Sequence, residues 1–128
     1  DTYAECFRLI LERADANLRG REQDRGAFGL TLLHSVAGSR EHVTAGERTA
    51  FATLLLDRGA RLDLRDNLLR STPLGWACRW NRPELARLFL ERGADAVEAD
   101  AEPWAAPRAW AEKSGAREIV AMLAAAGG

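Results

Sequence analysis

The sequence predicts an all-α fold, a solenoid of helix–turn–helix pairs, on three observations. Gly59, Gly93 and Gly127 lie 34 residues apart, each closing an apolar helical stretch. A fixed period of roughly 20–50 residues is the signature of a repeat array. Trp76 and Trp110 recur at the same spacing. Finally, Ser71–Asp95 (STPLGWACRWNRPELARLFLERGAD) reads as one complete unit that cannot bury its apolar side alone and so requires neighbours.

Within that unit Thr72 is an N-cap and Pro73 takes the first helical position, where its missing N–H costs nothing. Leu74, Trp76, Ala77 and Cys78 give the first helix an apolar side. Asn81 stands at the reversal, where a left-handed conformation is needed and Asn tolerates it. Pro83 starts a second helix with Leu85, Leu88, Phe89 and Leu90 on its apolar face, and Gly93 closes it as a left-handed cap.

Thr72, Pro73, Leu74, Ala77, Leu85, Leu88, Leu90, Gly93, Ala94 and Asp95 match the T-P-L-H-x-A and L-L-x-x-G-A-D pattern of the ankyrin repeat, which the chain resembles over nearly its whole length. The resemblance implies an ankyrin-type helix-turn-helix solenoid with short β-hairpin-like fingers between the pairs. It also implies partners along a concave face made by the first helices and the finger tips. Gly75 replaces the family's His, so the hydrogen bonds of that His are expected to be absent from this repeat.

We read residues 1–128 as a single repeat domain, and the other segments as variants of the reference unit. Residues 1–19 hold half a repeat: Phe7, Leu9, Ile10 and Leu11 form a helical cluster with no partner helix before it. The chain is therefore expected to be the C-terminal portion of a longer protein, whose uncovered N-terminal edge could self-associate. The connection from Ala16 to Leu30 is longer than the family pattern, and Phe28 is its one aromatic residue. Residues 30–60 form a repeat that keeps the motif His as His34, expected to bond to the adjacent loop. This repeat closes at Gly59, about seven residues late.

Seven residues is about two helical turns. The expectation is roughly one added turn on each helix, supported on the second by the capping box Thr44–Glu47. Leu62 and Leu64 alternate with Asp63 and Arg65 as a weak strand, with the turn at Asp66-Asn67; Pro103 should leave the next finger poorly paired. In the last repeat, residues 105–128, Arg108 stands where the reference unit has Leu74, as suits a capping unit with one side in water.

Composition narrows the function. Hydrophobic content of 47% and charged content of 29% mark an ordinary folded chain rather than a disordered one. A net charge of −1 offers no footprint for nucleic acid, and no apolar run approaches a membrane span. Cys6 and Cys78 each sit in an apolar helical pattern and read as buried free thiols, which points to a reducing, cytoplasmic setting. The preference for Arg over Lys, 17 to 1, suits a GC-rich, bacterial genome.

Catalysis finds no support. The serines lie at caps and turns, no phosphate-cradling motif occurs, and His34 and His42 beside Glu41 and Glu47 do not complete a metal site. No catalytic residue, cofactor or metal is assigned, and an enzyme is not expected. Binding is the better reading: a protein–protein interaction module with a protein partner. The residues at the ends of the first helices are its candidates: Arg79 and Trp80, Lys113 and Ser114, and Gly38 and Ser39. The finger residues Asn67, Leu68 and Arg70, with Trp104 and Phe28, complete the set. Trp80 could instead lie flat on Arg82 or Trp104 and fill a groove, whereas Trp76 and Trp110 belong to the core. Rival readings are a regulatory or targeting segment of a larger multidomain enzyme and a self-associating structural repeat.

Overall fold

The computed structural model describes residues 31–39 and 43–127. The half repeat expected over 1–19, the connection carrying Phe28, and Cys6, Glu41 and His42 lie outside them. The described helices are α1 (Leu32–Ala37), α2 (Ala45–Asp57), α3 (Pro73–Arg79), α4 (Pro83–Glu91), α5 (Pro107–Lys113) and α6 (Arg117–Ala125). A single 3-10 turn, Pro103–Ala105, precedes α5. Each odd-numbered helix pairs with the one that follows it. The first helices α1, α3 and α5 lie side by side in one layer, and α2, α4 and α6 form the second.

Caps decide where these helices start. Thr72 Oγ1 accepts the Gly75 N–H at 3.3 Å, and Pro73 follows it at the first helical position. At α2 the capping box is complete: Glu47 N donates to Thr44 Oγ1 at 3.1 Å and Thr44 N donates to Glu47 Oε1 at 3.0 Å. Backbone handedness decides where they stop. Asn81 adopts φ 53 at the α3–α4 reversal and Gly93 adopts φ 96 after α4, as their residue types favour.

The stretched first pair is lengthened on one side only. The second helix α2 has 13 residues against 9 in α4, about one turn more, while α1 has just 6. The expected extra turn on the first helix is absent, because the chain leaves the helix at Gly38 and the remaining residues enter the α1–α2 connection.

Leu33, Leu55, Leu74, Leu85, Phe89, Ile119 and Leu123 are fully buried between the two layers. Burial of each such side chain is worth about 1.5–3 kcal/mol, which no single pair could achieve without its neighbours. Arg108, in the place of Leu74, is exposed and pairs with Glu112 at 2.8 Å, so α5 turns this position to water.

No strand occurs among the described residues, and the alternation of Leu62 and Leu64 does not produce one. In the α2–α3 finger a single backbone bond, Asp66 N to Ser71 O at 3.2 Å, crosses the turn. The Asp66 carboxylate holds the loop instead, accepting from Leu69 N at 2.6 Å and Ser71 N at 3.0 Å. In the next finger Pro103 opens the 3-10 turn, consistent with a proline that cannot donate to a ladder.

Candidate functional site

The ends of α3 and α5 assemble a cluster of four tryptophans and two cations. Trp76 is pinned from inside: its Nε1 donates to Asp66 Oδ1 at 2.9 Å. Trp110 is pinned likewise, its Nε1 donating to Ser71 Oγ at 2.8 Å. Both rings are buried, as core residues at the 34-residue repeat should be. Gly38 closes the other side of Trp76; a Cβ there would stand 3.0 Å from Trp76 Cζ3, so a larger residue would press the indole aside by a few tenths of an ångström.

Trp80 stacks on Trp76 with ring centroids 4.8 Å apart and planes 23° from parallel. The ring therefore lies on a tryptophan of its own helix, not on Arg82 or Trp104. Arg82 is engaged elsewhere, donating to the Ser39 carbonyl at 2.8 Å. Trp80 remains half-buried, with one face on Trp76. Trp104 meets Trp110 edge-on at 6.2 Å and stays 50% exposed.

Arg79 sets its guanidinium 5.0 Å from the Trp80 ring and 5.8 Å from Trp110, and Lys113 sets its ammonium 5.6 Å from Trp110. These are cation–π distances, and they hold both charges against an aromatic floor. Arg79 and Lys113 are exposed, and neither carries an ion pair among the described residues.

The other candidates are placed unevenly. Ser114 turns its hydroxyl inward, donating to the Cys78 carbonyl at 2.8 Å, and so ties α5 to α3 instead of facing out. Ser39 accepts from Arg48 Nε at 2.9 Å. At the finger tip Asn67, Leu68 and Arg70 are exposed, while Leu69 packs against the core. Phe28 lies outside the described residues.

A family model for ankyrin repeats (3 copies) matches residues 1–100. The chain belongs to the ankyrin repeat family. Among solved structures it is similar to the human ASB11 ankyrin repeat domain, with a TM-score of 0.69 and 27% sequence identity. That match covers 91% of this chain and 46% of the other, so the chain spans about half the length of the domain it resembles. No curated protein matches. Ankyrin repeats are generally protein–protein interaction modules, and no helix among the described residues is long and apolar enough to cross a membrane.

His34 has the structural role expected of the ankyrin motif histidine. Its Nε2 faces the Ser71 carbonyl at 2.9 Å, which places the proton on Nε2, and its Nδ1 accepts the Thr31 N–H at 3.0 Å. In the next repeat the missing histidine is replaced rather than merely lost. Ser71 Oγ divides its single proton between the Leu69 carbonyl at 2.8 Å and the Ala105 carbonyl at 3.2 Å while accepting from Trp110, a weaker link than the histidine makes. The sequence held a signal for this: a serine immediately before the Thr-Pro of the one repeat that has glycine at the His position.

Two further groups were not legible as functional in the ankyrin pattern. Glu98 is buried at φ 48, accepting the Thr72 hydroxyl at 2.6 Å and pairing with Arg65 at 3.4 Å. Burial pushes its carboxyl above the usual range, against the opposing pull of Thr72 and Arg65. It lines a groove of about 570 Å³ between the finger and the ends of α2 and α4. Arg61, Arg65 and Arg92 in that groove are already paired with Asp63, with Glu98 and Asp100, and with Asp57. Its charges are thus compensated from within. Cys78 is buried and free, its thiol pushed up to about 12 by burial, which leaves it inert as a nucleophile.

Proposed function

We propose that the chain is a protein-interaction module whose partner docks on the face formed by the ends of α3 and α5 and the adjoining finger tips. Arg79, Trp80, Lys113 and Trp104 form its centre, with Asn67, Leu68 and Arg70 at the rim. The observation that carries this reading is the Trp80–Arg79–Trp110–Lys113 stack, which gathers a half-buried tryptophan and two unpaired cations on one surface. Trp and Arg are the residue types most enriched at interface hot spots. Trp76 and Trp110 are fixed by internal bonds to Asp66 and Ser71, and Trp80 stacks on the first while Trp104 meets the second edge-on, so less side-chain entropy remains to be lost on association.

The test compares Trp80→Ala with the unaltered chain in capture of a partner and in thermal unfolding. Removing the ring should weaken capture by about tenfold or more, the scale of a hot spot. Loss of the stack on Trp76 together with the ring's partial burial should cost about 2–3 kcal/mol of stability, leaving a folded chain. Undiminished capture by a folded Trp80→Ala variant would remove this face from consideration.

A further inference from the structure

We infer that the segment recognised by this face is an extended acidic peptide with a large apolar side chain beside its carboxylates. The inference rests on the docking face proposed above and adds the chemistry of the occupant.

The face is rich in hydrogen-bond donors, two of them charged. Arg79 and Lys113 project charged N–H groups with no carboxylate partner. The indole N–H groups of Trp80 and Trp104 have no partner among the described residues, whereas those of Trp76 and Trp110 are taken up inside. Among the acceptors nearby, the exposed Glu102 and Asn67 side chains have no partner among the described residues, while the others are engaged. Asp66 is buried under three N–H donors, Glu112 accepts from Arg108, and the Ser114 hydroxyl is turned to Cys78.

Away from the face Arg61, Arg65, Arg87, Arg92 and Arg108 are each matched by an acid, whereas Arg58 and Arg117 are exposed with no ion pair among the described residues. The chain as a whole carries −1, so an unmatched positive face is a local property and not the spill-over of a basic protein. A carboxylate meeting it gains charge-assisted bonds, which Arg can offer in bidentate form.

Spacing narrows the occupant. Arg79 and Lys113 hold equivalent places on adjacent helices α3 and α5. Packed helix axes lie about 8–10 Å apart. An extended chain advances ~3.3 Å per residue, so carboxylates two or three residues apart would meet both cations. An apolar side chain between or beside them would then lie over Trp80 or Trp104.

The experiment selects a library of random twelve-residue peptides against the full chain, then titrates the most enriched peptide. The expected result is enrichment of sequences with two Asp or Glu within four positions and a neighbouring aromatic or leucine. Binding should weaken steeply with salt and fall roughly tenfold in Arg79→Gln and in Lys113→Gln, with unfolding unchanged because both side chains are exposed. Arg79→Lys should recover part of the loss. Enriched peptides without acids, lost by Trp80→Ala yet indifferent to both Gln variants, would overturn the acidic occupant and leave the docking face standing. Peptides that bind all these variants equally, or no enrichment at all, would overturn both. Tighter binding of a single-stranded RNA oligonucleotide through the same residues would replace the peptide with a nucleic acid.

Discussion

The imidazole Nε2 of His34 donates to the backbone carbonyl of Ser71 across 2.9 Å, joining one repeat to the next. One repeat further on, the Ser71 side chain itself reaches the Ala105 carbonyl at 3.2 Å. Successive repeats thus satisfy the same buried carbonyl position with different side chains. The histidine is the stronger donor: the Ser71 carbonyl takes it beside the Asp66 N–H, whereas the Ser71 hydroxyl divides its single proton between Leu69 and Ala105.

His34→Ala should therefore be one of the most destabilising substitutions outside the leucine core. It removes the donor to Ser71 and the acceptor for Thr31 N–H, and leaves a cavity at a fully buried position. The expected loss is about 2–4 kcal/mol in urea unfolding. A loss below about 1 kcal/mol would show that water or a neighbouring group takes over both bonds.

Gly75 and Ser71 should behave as a coupled pair. A Cβ at residue 75 would stand 2.9 Å from Ser71 Cβ, so Gly75→Ala forces one side chain to move and should cost about 1–3 kcal/mol. Ser71→Gly relieves that clash but strands the Trp110 N–H and the Ala105 carbonyl, so it is costly alone. In a double-mutant cycle the two costs should add to more than the double variant loses, by about 1 kcal/mol. Strict additivity would refute the steric link.

Glu98 sets a pH dependence opposite in sign to that of the exposed paired carboxylates. Its carboxyl is raised above the ordinary value of 4.5, chiefly by burial, so the folded state holds the proton more tightly than the unfolded state. Its contribution to stability is full below that ordinary value and is lost as pH rises through the raised one. Asp63 and Asp100, lowered by Arg61 and Arg65, act the other way: their contribution is lost as pH falls through their lowered values. Subtracting the unfolding profile of Glu98→Gln from that of the unaltered chain should isolate Glu98. The relative stability of the unaltered chain should decline from about pH 4 toward pH 7. A difference that is flat, or that rises with pH, would mean the carboxylate is not penalised by its burial.

Much of the fold was legible because caps and turns are local. Thr72-Pro73, Thr44 with Glu47, Asn81 and Gly93 each act on backbone within a few residues, and each occupies the role its type suggests. The apparent strand at Leu62–Leu64 misled because alternation predicts a strand only where a partner strand exists, and here Asp66 closes the loop by side-chain bonds. The lengthened repeat was half legible. The capping box marks where α2 begins, whereas no local signal marks the end of α1 at Gly38.

The sequence by itself determined the 34-residue period, the helix ends of the Ser71–Asp95 unit, the burial of Trp76 and Trp110, and the residues at the ends of α3 and α5. Those features follow from spacing along one chain. Tertiary structure alone decided that Trp80 lies on Trp76, that Arg79 and Lys113 share the Trp110 ring, that Ser114 turns inward, and that Ser71 stands in for a histidine. Apart from the Trp80 stack and the Lys113–Trp110 contact, these are contacts between groups more than 30 residues apart, governed by the angle and register at which one repeat settles on the next. The stack depends on them too, since the same register fixes Trp76 between Gly38 and Asp66. Two sequences with equal periods can differ in every such contact, because the period places the helices and only their packing places the side chains.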